Sequence, residues 1–503
     1  MQSDTTENNE QQRRLKHDAD VVVVGAGVFG CAIAFAMAKQ GRSVLLLERW
    51  MKEPDRIVGE LLQPGGVAAL EKLGLAHCLE DIDAVTVKGY EVIYFGEPVR
   101  IPYPVTEGSA VNGTTNGAAN GSAKKTEQGS RPTGKSFHHG RFIAQLRKAC
   151  ASQPNITIIE TEVTGTIANS FSPQIVGVES KTTNPKTGQK ELDRYFGRLT
   201  IIADGYASKI RKQYNKKTPT VKGKFYALEL IDCPMPAPNH GIVILSDAPP
   251  VLLYQIGTHE TRALIDVPEN IPSASPAQGG VRGHIENVII PRLPEKVRPC
   301  VKAALSDGKI PRSMPNSFLP PTTQRDKGMV ILGDAMNMRH PLTGGGMTVA
   351  FNDVVILSKL LSPEKIPDLG DTAAVQRAMK EFHWQRKNLS SIINILSMAL
   401  YSLFAANDYE LKALQKGCFA YFKKGGNCID GPAGLLGGII AQPMVLVYHF
   451  FSVALLAIRI VIGEVIGGIL GLWKLPYALV VAVLVFWKAC VVIFPFIFSE
   501  LQS

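Results

Sequence analysis

ADVVVVGAGVFGCAIAFAMAKQGRSVLLLER, residues 19–49, joins a four-valine strand, a glycine-rich turn, a helix and a second apolar strand in one unbroken unit. The strand Val21 to Val24 ends at Gly25, which permits a tight turn. Gly27 lets the backbone approach a pyrophosphate, and Gly30 lets the new helix lie close to the sheet. Phosphate then sits on a helix N-terminus, where free N–H groups and the helix dipole favour negative charge. Glu48 follows Gly30 by eighteen residues, at the end of the apolar run Val44 to Leu47. A carboxylate there accepts hydrogen bonds from both ribose hydroxyls and disfavours a 2'-phosphate. The preceding strand, the following helix and the acid at this distance raise the motif above a chance GxGxxG. The unit predicts a Rossmann-like α/β dinucleotide grip and leaves NAD and FAD both open.

A chain of 503 residues has room for about two or three domains. Lys plus Arg exceeds Asp plus Glu by 54 to 44, but no Lys/Arg block argues for nucleic acid. The eight cysteines are scattered without a CxxC pair, so neither a metal site nor a disulfide framework is expected, and a reducing, cytosol-facing compartment follows. The N-terminus is polar and lacks the apolar core of a cleaved secretory signal. Residues 431–503 carry only Arg459, Glu464, Lys474, Lys488 and Glu500 as charged side chains, so the tail is a separate physical regime.

Residues 1–17 read as a disordered lead. Dinucleotide-binding segments are expected at 18–105, 136–215 and 325–362, with a helix from near Pro64 and another over 137–151. Residues 106–135, mostly Gly, Asn, Ser, Thr and Ala, read as a flexible low-complexity insertion. KFYALELI, GIVIL, VLLYQIG and TRALIDV, between 223 and 267, are four strand-like runs that predict a mostly antiparallel sheet, assigned to a substrate domain over 216–324. Residues 363–503 are expected to form a helical region ending in an apolar membrane hairpin at about 443–498, with a break at WKLP, 473–476; spanning and in-plane embedding are both open, and two buried core helices are the competing reading. Gly463, Gly467 and Gly471 recur at a spacing that permits close helix contact in lipid.

Three distant sites share one form, an apolar strand ending in a small loop with Gly and an acid: Gly25 to Gly30 with Glu48, Asp204 with Gly205, and Gly333 with Asp334. Their order resembles the single-component flavin monooxygenases of the hydroxybenzoate-hydroxylase type, whose FAD domain is discontinuous. RIVGELLQPGG, FHHGRF, ADGYASKIRK and GDAMNMRHPLTGGGMTVAFND, together with the apolar tail, resemble the squalene epoxidase (squalene monooxygenase) family, and its fungal members above all. The resemblance runs from about residue 18 to the end, excepting the insertion.

The resemblance implies FAD as cofactor, with Glu48 on the adenosine ribose, Arg141 and the Val163 backbone in contact with FAD, and Asp204 positioning it. Asp334 bonds the ribityl or pyrophosphate portion, and Gly344, Gly345, Gly346 and Met347 face the flavin ring. Val28, Phe29, Arg49, Arg56, Glu60, Gly333 and Pro341 complete the implied cofactor set, and Tyr90 with Gln63 is the implied catalytic pair. The glycines also stand on their own: a helix starting near Gly346 aims its N–H groups at the flavin pyrimidine, where reduction places negative charge.

The implied reaction converts squalene and O2 to (S)-2,3-oxidosqualene through a flavin hydroperoxide, in sterol (ergosterol) biosynthesis. No second strand–GxGxxG–helix unit serves a nicotinamide, so NADPH either docks transiently or, as the resemblance implies, delivers electrons through the microsomal NADPH-dependent cytochrome reductase. The location it implies is the endoplasmic reticulum membrane, with the catalytic part facing the cytosol and microsomes and lipid droplets as further locations. A prenyl-chain flavin reductase, another flavin hydroxylase, and a flavin-free prenyl-binding protein are the competing readings.

Overall fold

The computed structural model describes residues 10–106, 130–184, 187–467 and 473–502. A seven-stranded sheet carries the dinucleotide unit. Its order is Ile156–Glu160, Val44–Glu48, Asp18–Val24, Lys190–Ile202, Ile175–Thr183 and Glu162–Ala168, with Met329–Ile331 pairing the far end of Lys190–Ile202. The strands from Ile156–Glu160 to Lys190–Ile202 and the Met329–Ile331 strand pair in parallel, and the last two are antiparallel. Val21, Val22 and Val23 are fully buried, as a parallel strand covered on both faces requires. The helix Val28–Lys39 packs against His139–Ala151 and Gly346–Leu360.

A second seven-stranded sheet runs Arg312–Phe318, Thr220–Ile231, Glu260–Pro268, Val251–Gln255, Gly241–Leu245, Gly89–Tyr94, Glu97–Pro102. The four expected strands are all present, and the sheet is antiparallel except where Gly241–Leu245 meets Gly89–Tyr94. Here the sequence boundaries need correction: residues 89–102, placed with the dinucleotide segments, hydrogen-bond into this sheet across a sequence gap that local pattern does not bridge. Three smaller readings also change. Gln12–Lys16 of the expected disordered lead is helical, and Arg13 is buried with its Nε 2.8 Å from Thr157 Oγ1. Gly134 and Lys135 of the expected insertion pair in a small sheet with Leu61–Leu62 and Val85–Val87, whereas 107–129 lie outside the described residues. No atom of the described residues lies within 4 Å of a Cβ built on Gly463, and Gly467 ends its helix at φ 64°, so neither makes a close helix contact among the described residues; Gly471 lies outside them.

The C-terminal region begins with Thr372–Phe404 and Tyr409–Lys423, which meet at 111°. Pro443–Ile466 and Leu475–Leu501 follow, with mean hydropathy 2.3 and 2.6, each long and apolar enough to cross a membrane. They pack on each other and on the preceding helices. Their outward side bears Leu455, Val483, Trp487 and other large exposed apolar groups, the surface that lipid covers at least expense.

Candidate active site

Parallel pairing sets the strand ends in one row, because Val24 lies beside both Leu47 and Ile202. The turn after Val24, Glu48, and the Ala203–Gly205 loop therefore meet. Gly25 takes φ 103°, and a Cβ there would stand 2.5 Å from the Ala203 carbonyl oxygen. A Cβ on Gly30 would stand 1.8 Å from the Gly25 carbonyl oxygen, which is the close approach of helix to strand that the motif implies. Glu48 accepts from the Ala26 N–H at 2.8 Å and the Trp50 N–H at 3.1 Å, so its carboxylate is aimed by the turn itself. Arg147, buried, stands 3.4 Å from Glu48 and donates to the carbonyls of Ala26, Met51 and Lys52.

The other two strand-end loops close on the same place. Arg211, also buried, donates to the carbonyls of Tyr206 (2.9 Å), Asp334 and Ala335 (both 3.4 Å), and so ties the ADG loop to the GDA loop. Asp204 Oδ1 is buried without a hydrogen-bond partner among the described residues, and burial pushes that carboxyl above its ordinary range. Asp334 is exposed on the rim of a cleft that Gly27, Val28, Phe29, Gly333, Pro341, Gly344, Gly346 and Met347 help to line. The turn at Gly344 (φ 61°) leads into the helix Gly346–Leu360, whose N-terminus faces this cleft.

The cleft encloses about 1530 Å³ of empty space, open solvent included, and part of its lining is apolar: Val243, Leu252, Leu264, Met338 and Leu342. One ion pair interrupts that lining. Glu60, 1 % exposed, accepts from Arg262 Nη2 at 2.8 Å, from its Nε at 2.9 Å, and from the Tyr254 hydroxyl at 3.1 Å. Burial opposes the Arg262 charge, but the hydrogen bonds and charge of Glu60 outweigh it and hold the guanidinium above its ordinary value. Gln63 is fixed at both ends: Tyr103 donates to its Oε1 at 2.6 Å, and its Nε2 donates to the Thr343 carbonyl at 2.8 Å. Tyr90 lines the cleft and its buried hydroxyl lies beside both Gln63 and Tyr103, but the well-formed hydrogen bond to Gln63 Oε1 comes from Tyr103. The two rings meet edge to face at 5.8 Å.

The expected residues thus separate into two groups. Gly25, Gly27, Val28, Phe29, Gly30, Glu48, Arg56, Glu60, Gln63, Tyr90, Asp204, Gly333, Asp334, Pro341 and Gly344 to Met347 lie in or directly behind the cleft wall. Arg49, Arg141 and Val163 do not line it. Arg49 stacks on the exposed Trp50 ring, Arg141 is 40 % exposed and 4.0 Å from Asp83, and Val163 sits in the strand Glu162–Ala168. Arg147, six residues beyond Arg141 on the same helix, takes the position beside Glu48. Sequence reasoning passed over Arg147, Arg211, Arg262 and Tyr103. Two of them left a signal: Arg211 lies in the ADGYASKIRK motif, and Arg262 is a charge inside the apolar strand TRALIDV.

The glycines test whether a dinucleotide fits. Gly27 and Gly346 have ordinary negative-φ backbone, and a Cβ on either would meet no atom of the described residues within 4 Å. Neither conformation nor packing within the chain calls for glycine there; a cofactor lying against the backbone at both points does. Two helix N-termini, a ribose-directed acid and this bare backbone suit FAD.

The comparisons agree with the geometry. A family model described as "FAD dependent oxidoreductase" matches residues 20–52. A flavoprotein/dehydrogenase from Cytophaga hutchinsonii is similar over 89 % of this chain and 100 % of its own, with TM-score 0.64 and 16 % identity. PqsL of Pseudomonas aeruginosa, solved with 2-aminobenzoylacetate, is similar over 77 % of this chain and 97 % of its own, with TM-score 0.60 and 19 % identity. At such identities the likeness is one of fold alone; the match over residues 20–52 is what places the dinucleotide unit with the FAD-dependent oxidoreductases. A second model, "Squalene epoxidase", matches residues 196–473. The squalene epoxidase of Gibberella zeae is 61 % identical over 99 % of this chain and 98 % of its own. That of Aspergillus fumigatus is 55 % identical over 97 % and 95 %, and the squalene monooxygenase of Mus musculus is 40 % identical over 96 % and 78 %. The chain belongs to the squalene epoxidase family.

Proposed function

We infer that this protein is an FAD-dependent squalene monooxygenase that makes 2,3-oxidosqualene in sterol biosynthesis. One observation carries the reading: a bare-glycine cofactor cradle opens directly onto an apolar wall. Squalene is a hydrocarbon and offers nothing for an acid, base or metal to grip, so its site is a matter of shape and dryness. Among the described residues no three His, Cys, Asp or Glu side chains gather as a metal set.

FAD, when bound and reduced, supplies the activation of O2; one oxygen atom goes to the terminal alkene and the other leaves as water, with two electrons and two protons consumed. The remaining work is the chain's. Gly27 and the N-terminus of Val28–Lys39 receive the pyrophosphate, and Glu48, oriented by Ala26 and Arg147, receives the ribose. The N-terminus of Gly346–Leu360 faces the flavin end, where its dipole favours the charge of the reduced ring. Leu252, Leu264, Leu342 and Met338 hold the hydrocarbon and exclude water, which otherwise promotes unproductive loss of hydrogen peroxide. Tyr90 lines the apolar part of the cleft with its hydroxyl buried beside Gln63 and Tyr103.

Electrons come from NADPH through a membrane-bound reductase, and the protein resides at the endoplasmic reticulum membrane facing the cytosol. Two apolar C-terminal helices support this placement. The test is the detergent-solubilised protein with reductase and NADPH. Acid should release FAD, and oxygen uptake should rise on adding squalene. A flavin-free protein, or uptake indifferent to squalene, overturns the reading.

A further inference from the structure

The last helix, Leu475–Leu501, carries two charged side chains, and they face different surroundings. Lys488 makes a partly exposed contact with Asp408 at 2.7 Å. Glu500 is 3 % exposed and turned into the body. Its Oε2 accepts from Ser391 Oγ at 2.7 Å and its Oε1 from Asn394 Nδ2 at 2.8 Å, while its main-chain carbonyl accepts from Lys387 Nζ at 2.5 Å. Asn394 Oδ1 in turn accepts from Arg339 Nε at 2.7 Å. Arg339 lines the cleft, donates through Nη2 to Asn337 Oδ1 at 2.6 Å, and donates through Nη1 to the Gly346 carbonyl at 3.3 Å. Two side chains therefore connect the end of the apolar tail to the first residue of the helix that faces the cofactor.

The charges sort in the same way. Asp334, Asp353 and Glu500 are the acids that act on Arg339. Asp353 is engaged by Arg386 through contacts of 2.8–3.2 Å, and Asp334 is exposed at the cleft rim. Glu500 is a buried acid that also acts on Lys217 and Lys387, and it reaches Arg339 through Asn394, while burial pushes the Arg339 guanidinium down to about 10.

We propose that Glu500 is a positioning residue of the cofactor site: delivered by the last helix, its carboxylate orients Asn394, which holds Arg339 beside Gly346, and adds to the negative charge around that guanidinium, so that seating the tail on the body tunes the field at the flavin end. The inference rests on the FAD reading above. The test uses the full chain in detergent and compares Glu500→Gln, which removes the charge and keeps one oxygen acceptor, with Glu500→Ala and with Lys488→Met, which breaks a different contact of the same helix. Loss of negative charge around Arg339 favours reduced flavin, so the midpoint potential should move positive in Glu500→Gln. FAD should dissociate about tenfold more readily from Glu500→Ala, which leaves the buried Asn394 amide without its acceptor and frees Arg339 to shift. Lys488→Met should leave both quantities at wild-type values. A flavin-bound Glu500→Gln protein with unchanged potential, or an equal shift in Lys488→Met, overturns the inference. A wild-type protein without flavin overturns the FAD reading and this inference with it.

Discussion

Gly346→Ala should act in opposite directions on the apoprotein and on its cofactor affinity. Gly346 is the first residue of a fifteen-residue helix, has ordinary helical backbone, and has no atom of the described residues within 4 Å of its would-be Cβ. Alanine there removes the excess backbone entropy that glycine loses, worth at most about 0.5–1 kcal/mol in favour of folding. The same methyl points into the cradle. Forcing a methyl into an occupied contact costs roughly 1–3 kcal/mol, a loss of roughly 5- to 150-fold in FAD affinity. Gly345→Ala is the comparison, because its Cβ would lie 2.4 Å from Ile393 Cγ2 and the strain falls on the protein itself. Thermal unfolding of the apoproteins and titration with FAD by flavin fluorescence separate the two. The expected pattern is an apoprotein as stable as wild type or more so with weak FAD binding for Gly346→Ala, and a destabilised apoprotein for Gly345→Ala. Wild-type FAD affinity in Gly346→Ala refutes the cradle; a marked loss of apoprotein stability refutes the claim that glycine is kept there for the cofactor.

Arg262→Met leaves Glu60 buried without its ion partner and should destabilise the protein by about 3–5 kcal/mol; adding Glu60→Gln should return much of that, and melting curves of the single and double variants decide it. Asp266 is buried, accepts from Asn316 and Tyr401, and burial raises its pKa to about 7 from 3.8. Between those values the folded chain keeps a proton that the unfolded chain releases, so the stabilisation is complete below pH 4 and is lost as pH rises through 7. Asp266→Asn should therefore melt close to wild type at pH 4 and above it at pH 8; equal differences at both pH values contradict the assignment.

What local chemistry encodes was legible. The strand, turn and acid of residues 19–49, the four strands between 220 and 268, and the helix start at Gly346 all appear where spacing put them. Partnerships across long sequence separation were not. Glu60 meets Arg262 across 202 residues, and Tyr90 enters the second sheet by pairing with Gly241, so neither the ion pair nor the sheet boundary leaves a local pattern. The arginine beside Glu48 shows the limit of a resemblance. FHHGRF draws attention to Arg141, but helical geometry carries that side chain outward and brings Arg147, which no motif marks, to the carboxylate. Tyr90 and Tyr103 differ likewise: both are aromatic groups in one hairpin region, and only the fold shows which hydroxyl makes the well-formed bond to Gln63 Oε1.

The central claim is oxygen transfer to a hydrocarbon held beside FAD. Its most direct test supplies the solubilised protein with reductase, NADPH, squalene and isotopically labelled O2, and analyses the product by mass spectrometry. One labelled oxygen atom per molecule of 2,3-oxidosqualene is the predicted result. An FAD-bound, reducible protein that yields no labelled epoxide contradicts it.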